Sequence, residues 1–434
     1  MQNRYTVKEF DTFTCGKTVD RSGFHALDPS TFGQLETFVL ENSGLDELDD
    51  TSLFMTLSNM RGIGKVIRVR NYIGLLKMKD GTEIEILPKI HSPEKEHSEE
   101  EVKRIALDML SSLPDIPNKK ANKANMDLSD DTLLEIFIKM FIDEVQWLVK
   151  RGLKSTYEEV EGNQPFFKGK LQISQHIRYN LAHKERFYIT YDQLSVNGVE
   201  NRLIRAALLN ARSKSSNPQN RKSINELLEH FQVADITDYK QAFRSIDHNR
   251  STQMYGQALR WCRVFLDNKS FTVFSGSTLS FALLFPMEKV FENYISQLLK
   301  LKLRHLPVKL RTQDRRFYLF DDPRRFQLQP DIVLQKEDQC MVMDTKWKIL
   351  KNKPDINFGI SQADMYQMYA YHQKYNAECI VMIYPWSAAF EDHAANSFCY
   401  RSGDQRVVIL LFHLGEVERS LADLMEIVNE CSIN

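Results

Sequence analysis

Apolar and polar positions alternate with a period of two in the segment VIRVRNYIGLLKMKDGTEIEILPKI, which covers residues 66–90. Such alternation is typical of β-strands, because successive strand side chains point to opposite faces. The turn pair Asp80-Gly81 divides the segment, and beyond it isoleucines alternate with Glu83 and Glu85. The pattern therefore predicts a β-hairpin with one face in water.

A helical spacing of apolar positions follows in SDDTLLEIFIKMFIDEVQWLVKRGL, which begins at Ser129. The spacing and the acidic start predict a helix that ends before Gly152. Ahead of it, residues 91–127 are mostly polar and charged, apart from a helix-like piece from Ile105 to Leu113. Residues 167–180 and the segment that begins at Glu185 suggest strands or turns, and a second helix is predicted to begin near Glu200.

The last part of the chain has the predicted order helix, two strands, helix, strand. The helix carries Glu288 and Glu292, and the two strands are LQPDIVLQ and CMVMDTKWK, joined near residues 336–339. The second helix is capped by Ser361, and the final strand is the apolar run AECIVMIYPW. We therefore expect four parts: a β-rich domain over 1–90, a polar connector over 91–127, a helical and mixed region over 128–250, and an α/β domain over 251–434.

Composition restricts the class of protein. The 434 residues are 42% hydrophobic and 26% charged, which is typical of globular domains. The net charge of −1 predicts no overall attraction to nucleic acid, so phosphate binding must come from local clusters. Six cysteines without a CxxC spacing predict neither a zinc site nor a disulfide framework. No signal peptide or membrane span is recognisable, and we expect a soluble, cytoplasmic protein.

Two glycine-lysine pairs resemble parts of a phosphate-binding P-loop. In CGKT, Asp11 stands where the first glycine of the motif is required. In GIGKV, Asn59 replaces that glycine, and Val66 replaces the hydroxyl residue that would bind magnesium. Both pairs are better interpreted as turns, so we expect no nucleoside triphosphatase site in this chain.

Charged residues inside the two apolar strands of the last part are the strongest chemical signal. A hairpin would bring Asp331 close to Asp344, and Lys346 lies on the same strand face as Asp344. Two converging carboxylates repel each other unless a cation lies between them. Hard oxygen ligands suit Mg²⁺, or Mn²⁺ in its place, and a neighbouring lysine can stabilise charge on a phosphate. The alternative is an ion pair on a solvated hairpin face.

Side chains on the flanking helices add to this cluster. Glu288 and Glu292 lie four positions apart on one side of the first helix, and either can supply a third carboxylate. On the second helix, Asp364, Gln367 and Tyr371 share a face. The alternative for the glutamine and the tyrosine is that they pack this helix onto the sheet.

In this order, helix-Glu, Pro-Asp, Asp-x-Lys and Gln-x-x-x-Tyr resemble the PD-(D/E)xK nucleases. The blocks PMEKVFENY, LQPDIVL, VMDTKWK and ADMYQMYAY, together with DGTEIEILPKI nearer the amino terminus, are similar to the McrC family of McrBC-type restriction systems. The resemblance implies a restriction-endonuclease-like carboxy-terminal domain within an α+β multidomain protein. It also implies metal ligands Asp331, Asp344 and Glu292, and catalytic or positioning roles for Lys346, Gln367 and Tyr371.

The resemblance further implies partners and a biological role. McrC-type subunits cut double-stranded DNA together with an AAA+ GTPase ring of McrB type that recognises modified cytosine. They contact the ring through the amino-terminal half, so we expect residues 1 to about 250 to bind it. Two alternatives remain open from the residues alone: a non-catalytic activator that scaffolds an AAA+ partner, and a nuclease that works without a partner.

Overall fold

The computed structural model describes residues 4–42, 54–90, 98–114, 116, 131–247, 250–266, 278–337, 339–391, 396–403 and 405–430. Within them the strands are β1 Arg4–Lys8, β2 Thr12–Cys15, β3 Phe24–Leu27, β4 Met55–Met60, β5 Gly64–Val69, β6 Tyr72–Met78, β7 Glu83–Leu87, β8 Thr156–Gln164, β9 Lys170–Leu171, β10 Phe187–Ser195, β11 Leu279–Pro286, β12 Lys309–Thr312, β13 Tyr318–Asp321, β14 Arg324–Gln327, β15 Ile332–Lys336, β16 Gln339–Thr345, β17 Cys379–Pro385, β18 Ser397–Ser402 and β19 Gln405–Phe412.

The helices of the described residues are α1 Pro29–Asn42, α2 Glu99–Leu110, α3 Leu133–Arg151, α4 Ile173–Asn180, α5 Val199–Lys214, α6 Pro218–Leu228, α7 Tyr239–Arg244, α8 Arg250–Gln253, α9 Gly256–Leu266, α10 Met287–Leu303, α11 Gln362–Tyr375 and α12 Val417–Glu430. Two short 3₁₀ helices cover Pro354–Gly359 and Ala388–Phe390. No helix in the described part of the chain is both long and apolar enough to cross a membrane.

The described residues form two compact units. The first holds the residues up to 116, residues 131–133 and those from 278 onward, and the second holds residues 134–266. This division differs from the expected boundary at residue 251, because α9 belongs to the second unit. In addition, β11 pairs antiparallel with β6 of the amino-terminal sheet. Both ends of the chain therefore contribute to one unit.

Close packing of β11 on β6 requires a glycine at residue 74. Gly74 has φ +134°, and a Cβ added there would lie 1.9 Å from the carbonyl oxygen of Leu283. Any side chain at this position would force the two strands apart. The paired strand also contributes Leu284 to the same apolar core as Val7 and Phe13. The sheet order is β1-β7-β6-β11, and a second sheet, β3-β2-β5-β4, shares its core.

The predicted hairpin around Asp80-Gly81 is confirmed as β6 and β7. The expectation of a wet face is wrong, because Glu83 and Glu85 are both buried. Lys77 lies 2.6 Å from Glu83, and buried Lys103 lies 3.1 Å from Glu85. Buried carboxylates are tolerated when donors neutralise them. The second face of this hairpin is therefore a packed polar layer.

Lys103 comes from α2, which lies within the expected polar connector 91–127. The helix begins with a capping box in which Ser98 accepts a hydrogen bond from the amide of Glu101. Val102, Ala106 and Met109 are buried, so this part packs as a helix of the first unit and is not a solvated linker. Residues 91–97, 115 and 117–127 of the expected connector lie outside the described residues.

The second unit is built around α3, the helix that the apolar spacing predicted, although residues 129–130 lie outside the described residues. A three-stranded sheet of order β8-β10-β9 follows, and α5 begins at Val199 near the predicted position. The expectation of strands or turns was wrong for residues 173–180, which form α4. Its Asn180 exchanges two side-chain hydrogen bonds with Asn163 of β8, at 2.7 and 2.8 Å.

The six-stranded sheet of the first unit, in the order β12-β15-β16-β17-β19-β18, contains the predicted strand pair. Strands β15 and β16 are antiparallel, and the hairpin turn falls between residues 336 and 339 as expected. Strand β17 is the predicted strand AECIVMIYPW and runs parallel to β16. Helix α11 connects them, and its buried Met368 and Tyr371 belong to the core of this sheet.

Candidate active site

Asp331 and Asp344 come together at one end of the β15–β16 hairpin. Ile332 pairs with Met343 in the antiparallel register, so the next residues outward on the two strands are Asp331 and Asp344. Lys346 follows immediately after the end of β16 at Thr345. The hairpin geometry expected from the sequence therefore places these three side chains at the same edge of the sheet.

Asp331 is held by hydrogen bonds on both carboxylate oxygens. Its Oδ2 accepts from the backbone amide of Thr345 at 2.8 Å and from the Thr345 hydroxyl at 2.7 Å. Its Oδ1 accepts from the Gln313 side-chain amide at 3.1 Å. Burial raises the pKa of Asp331, while the Thr345 bonds oppose that rise. The Asp331 side chain is thus fixed in orientation by Thr345 at the end of β16 and by Gln313 after β12.

Asp344 is 2% exposed, and its carboxylate has fewer hydrogen-bond donors than the carboxylate of Asp331. Among the described residues, its Oδ2 accepts no hydrogen bond of acceptable geometry, although the Lys346 ammonium nitrogen lies 2.8 Å away. Burial and then the charge of Asp331 raise the pKa of Asp344 to about 7, with Lys346 opposing them. A buried carboxylate with a strongly raised pKa beside a second carboxylate is typical of positions that serve a function.

Lys346 connects the carboxylates to α11. Its ammonium group donates a hydrogen bond to Gln367 Oε1 at 3.1 Å and lies 4.0 Å from Asp364. The Gln367 amide in turn donates to the Tyr371 hydroxyl at 2.7 Å. Burial would lower the pKa of Lys346, but the nearby charges outweigh it, above all that of Asp344, and the pKa is raised. The lysine stays protonated, and two helix side chains set its position.

Glu292 lies on α10 and reaches the cluster through an amide that the sequence reasoning missed. The Gln313 side-chain amide donates to both Glu292 Oε1 and Asp331 Oδ1. Burial, followed by the charge of Asp331, raises the pKa of Glu292 to about 7. Glu288, the other candidate on this helix, instead accepts from the Asn71 amide at 3.3 Å. No sequence motif singled out Gln313.

The donor set suits a hard divalent cation such as Mg²⁺, which prefers carboxylate oxygens and retains several waters. Asp331 and Asp344 lie at the same end of paired strands, and the pKa of each is raised by burial, which a bound cation would counter. Within the described ranges, no group of three or more His, Cys, Asp and Glu side chains is arranged closely enough to hold a metal ion unaided. Glu292 shares the Gln313 amide with Asp331, so its direct ligation requires that this amide move away.

Trp347 and Glu9 form a second contact that the sequence did not indicate. The indole N–H of Trp347, the residue after Lys346, lies 3.0 and 3.2 Å from the two carboxylate oxygens of Glu9. The indole ring also contacts Phe291, next to Glu292, with 5.3 Å between ring centroids. Burial raises the pKa of Glu9 to about 8. A residue near the amino terminus therefore contacts the side chain that follows Lys346 in the candidate site.

A cavity of about 300 Å³ adjoins this contact. Its lining combines Glu9 and Trp347 with the basic side chains Lys89 and Lys348. The amide of Lys89 also donates to Glu9 at 3.1 Å. The cavity is therefore bordered by the same residues that join β1 to the segment after Lys346.

Fold and site together define a mixed α/β multidomain protein with carboxylates and a lysine clustered at one end of a six-stranded sheet. The family model described as the McrBC 5-methylcytosine restriction system component matches residues 67–385. The match covers most of the chain, so this chain belongs to the McrBC restriction component family. The resemblance predicted from the sequence motifs is thereby confirmed.

Two solved structures are similar in fold. A chain of the refined half-complex from the tetradecameric assembly of Thermococcus gammatolerans McrB AAA+ hexamers with bound McrC matches with a TM-score of 0.69 and 18% identity, covering 99% of this chain and 100% of that one. A chain of the cryo-EM structure of the Thermococcus gammatolerans McrBC complex matches with a TM-score of 0.50 and 21% identity, covering 68% and 87%. Among curated proteins, no sequence matches significantly.

Proposed function

We propose that this chain is the Mg²⁺-dependent DNA endonuclease subunit of a modification-dependent restriction system, with a carboxy-terminal PD-(D/E)xK nuclease fold. The observation that carries the proposal is the meeting of Asp331, Asp344 and Lys346 at one sheet edge, with Glu292 linked to Asp331 by one amide. Burial and the charge of Asp331 raise the pKa of Asp344 to about 7, and clustered carboxylates with raised pKa values are typical of functional sites. Family membership supports the same class of activity.

The proposed ligands are Asp331 and Asp344, with Glu292 as a third, and Mn²⁺ can replace Mg²⁺ at oxygen donors of this kind. A bound cation would supply Lewis-acid stabilisation of charge on the phosphate and would activate water at neutral pH. Lys346, protonated beside Asp344, places a positive charge where a scissile phosphate would gain negative charge. Gln367 and Tyr371 are positioning residues, because they hold Lys346 in place and do not reach the carboxylates.

Substitution of single site residues tests the nuclease proposal. We expect Asp344→Ala to abolish cleavage of plasmid DNA while the chain stays folded, because the change also relieves its repulsion with Asp331. Lys346→Ala should keep Mg²⁺ affinity, measured by calorimetry, and lose turnover. Arg401→Ala, at an exposed position on β18, is the matched control. Cleavage by Asp344→Ala at the rate of the parent chain would remove the site assignment and favour the non-catalytic activator.

We further propose that residues 1 to about 250 bind an AAA+ GTPase ring of McrB type, and that the complex acts on double-stranded DNA with modified cytosine. The similar Thermococcus gammatolerans structure is a half-complex of McrB AAA+ hexamers with bound McrC. In the second unit of this chain, an unusual number of large apolar side chains lie exposed on β8, α4, β10 and their connections. They are Tyr157, Phe166, Phe167, Ile173, Ile177, Tyr179, Leu181 and Leu194. Exposed apolar patches of this kind are typical of protein interfaces.

The partner proposal is best tested in the full chain. A cut near residue 250 would separate β11 from β6 and would disturb the first unit. Ile173 and Ile177 lie one turn apart on α4 and are 66% and 57% exposed. Ile173→Ser combined with Ile177→Ser should weaken stimulation of the ring's GTPase at least about tenfold, because interface anchors each contribute roughly 1–2 kcal/mol. Leu301→Ser, which changes an exposed leucine of α10, should leave stimulation intact. Full stimulation by the double variant would contradict this surface.

A nuclease that works without a partner is the second alternative, and the same assays separate it. Such a protein would cut DNA at full rate without the ring. We expect instead that cleavage by the full chain rises strongly when the ring and GTP are added.

A further inference from the structure

Strands β13 and β14 form a two-stranded arm that projects from the candidate active site. We use the word arm for residues 314–330. Among the described residues its two strands pair only with each other, with Tyr318 opposite Gln327 and Phe320 opposite Arg325. The arm is a separate ribbon from the six-stranded sheet to which Asp331 leads.

Backbone hydrogen bonds connect this ribbon continuously to Asp331. The amide of Gln313 donates to the Asp331 carbonyl at 2.9 Å, and the amide of Asp314 donates to the Pro330 carbonyl at 3.3 Å. Further out, the Leu328 amide donates to the Phe317 carbonyl at 2.9 Å. The base of the arm is therefore bonded through the backbone to Asp331, which is a candidate metal ligand.

Side-chain contacts also fix the arm to α11. Asp321 lies 2.8 Å from the Lys374 ammonium nitrogen, and the rings of Phe317 and Tyr375 are 4.7 Å apart. Helix α11 is the helix whose Gln367 holds Lys346. The arm thus has a defined position relative to the catalytic lysine.

The outer part of the arm exposes aromatic side chains. Phe326 is 72% exposed and Phe320 is 56% exposed, and their rings form an edge-to-face pair at 6.0 Å. Phe326 has φ +56°, a backbone conformation that bulky residues rarely adopt. A large apolar pair in water is unfavourable by itself, and strained conformations concentrate at functional positions.

The arm also carries arginines that form no ion pair with any described residue. They are Arg315, Arg324 and Arg325, and Asp322 is the unpaired carboxylate nearest to them in sequence. The neighbouring Asp321 is already taken by Lys374. The outer arm therefore combines net positive charge with exposed aromatic rings. Positive side chains bind phosphates, and aromatic rings stack on bases.

We propose that the arm binds the DNA duplex within about six base pairs of the scissile phosphate, with Arg324 and Arg325 on the phosphate backbone and the Phe320–Phe326 pair inserted against bases in a groove. Aromatic wedges of this kind partly unstack a duplex and bend it. The proposal rests on the nuclease function proposed above and names how that site engages its substrate. From Asp331 to Arg325 is six residues, about 20 Å of extended strand, which corresponds to about six base pairs from the site of cleavage.

DNA binding by the full chain, measured without cleavage, tests the arm. The assay is fluorescence anisotropy of a labelled 30-base-pair duplex in EDTA, repeated from low to moderate KCl concentration. Arg324→Ala combined with Arg325→Ala should weaken binding and reduce the slope of log affinity against log salt by about 1.8, since each phosphate contact contributes about 0.9. Phe320→Ala combined with Phe326→Ala should weaken binding about tenfold or more while the slope stays unchanged, because no charge is removed.

Matched controls and the Asp344→Ala chain complete the experiment. Arg61→Ala combined with Arg401→Ala removes two exposed arginines of the same unit and should leave both affinity and slope intact. Asp344→Ala should bind as tightly as the parent chain in EDTA, so a failed site assignment would appear in cleavage assays and not here. Parental affinity and slope in both arm variants, an equal loss in the control, or no DNA binding by the parent chain would each overturn the proposal.

Discussion

The contact between Glu9 and Trp347 gives a prediction whose size follows from the structure. Glu9 is 0% exposed, and burial raises its pKa to about 8 from an ordinary value of 4.5. The carboxyl group is therefore neutral in the folded protein and ionised in the unfolded chain between these two pH values. Because the folded state then binds the additional proton, the free energy of unfolding falls as pH rises from 4.5 to 8 and is level above that.

The magnitude follows from the pKa difference. Between pH 6 and pH 9 the group passes through about two pH units of this interval, which corresponds to about 2.7 kcal/mol of lost stability at about 1.36 kcal/mol per unit. Glu9→Gln removes the titration and retains an acceptor oxygen for the Trp347 indole. We therefore expect the variant to be more stable than the parent chain at both pH values, and its advantage to grow by about 2.7 kcal/mol from pH 6 to pH 9.

Urea unfolding at the two pH values, followed by tryptophan fluorescence, measures this difference. All other titrating groups are common to both proteins, so they cancel when the pH effect in the variant is subtracted from that in the parent. Glu9→Ala is the second variant. Compared with Glu9→Gln, it leaves the buried indole N–H without its acceptor and should cost about 1–3 kcal/mol at both pH values. If the parent and Glu9→Gln lose the same stability between pH 6 and pH 9, Glu9 does not titrate with the raised pKa.

Two further predictions concern the proposed metal ligands. DNA cleavage should require Mg²⁺ or Mn²⁺ and fail in Ca²⁺, which is larger and accepts looser coordination, and robust cleavage in EDTA would refute the metal assignment. Gln313→Ala should tighten Mg²⁺ binding to the DNA-free chain by several-fold, up to about tenfold, because the amide shared by Glu292 and Asp331 no longer has to be displaced. Calorimetry checks this against Gln335→Ala, a change on β15 away from the carboxylates, and unchanged or weaker affinity would contradict it.

Local sequence patterns predicted the elements that carry the candidate site. The β15–β16 hairpin is visible in the apolar runs on either side of a polar turn, and α10 and α11 are visible in helical spacing and the Ser361 cap. These features depend on neighbours within a few residues, and a single sequence contains that information. The approach of Asp331 to Asp344 then followed from register alone.

Contacts between distant parts of the chain were not predictable in the same way. Strand β11 pairs with β6 across roughly two hundred residues of sequence, and Trp347 meets Glu9, 338 positions away. Neither strand carries a local pattern that identifies the strand it pairs with, because many apolar strands share the same periodicity. The expected boundary at residue 251 was inferred from local composition, which contains no information about these long-range pairings.

Two pairs of acidic residues in this chain show what local pattern leaves undecided about function. Glu83 and Glu85, like Asp331 and Asp344, are carboxylates placed within or beside apolar strands, and the simplest interpretation of either pair was a solvated face. Burial rejects that interpretation for Glu83, Glu85 and Asp344. What separates the pairs is the supply of donors, which comes from elements remote in sequence.

Glu85 is met by the ammonium group of Lys103 at 3.1 Å, by Arg4 at 3.3 Å and by the amide of Leu133 at 2.7 Å. These donors come from three different segments, and they neutralise a carboxylate whose role is to hold the amino-terminal sheet to α2. The Oδ2 of Asp344 has the ammonium nitrogen of Lys346 at 2.8 Å, but among the described residues it accepts no hydrogen bond of acceptable geometry. Asp344, a buried carboxylate with fewer donors and a raised pKa, is therefore the physical basis on which we propose a catalytic site at this end of the sheet.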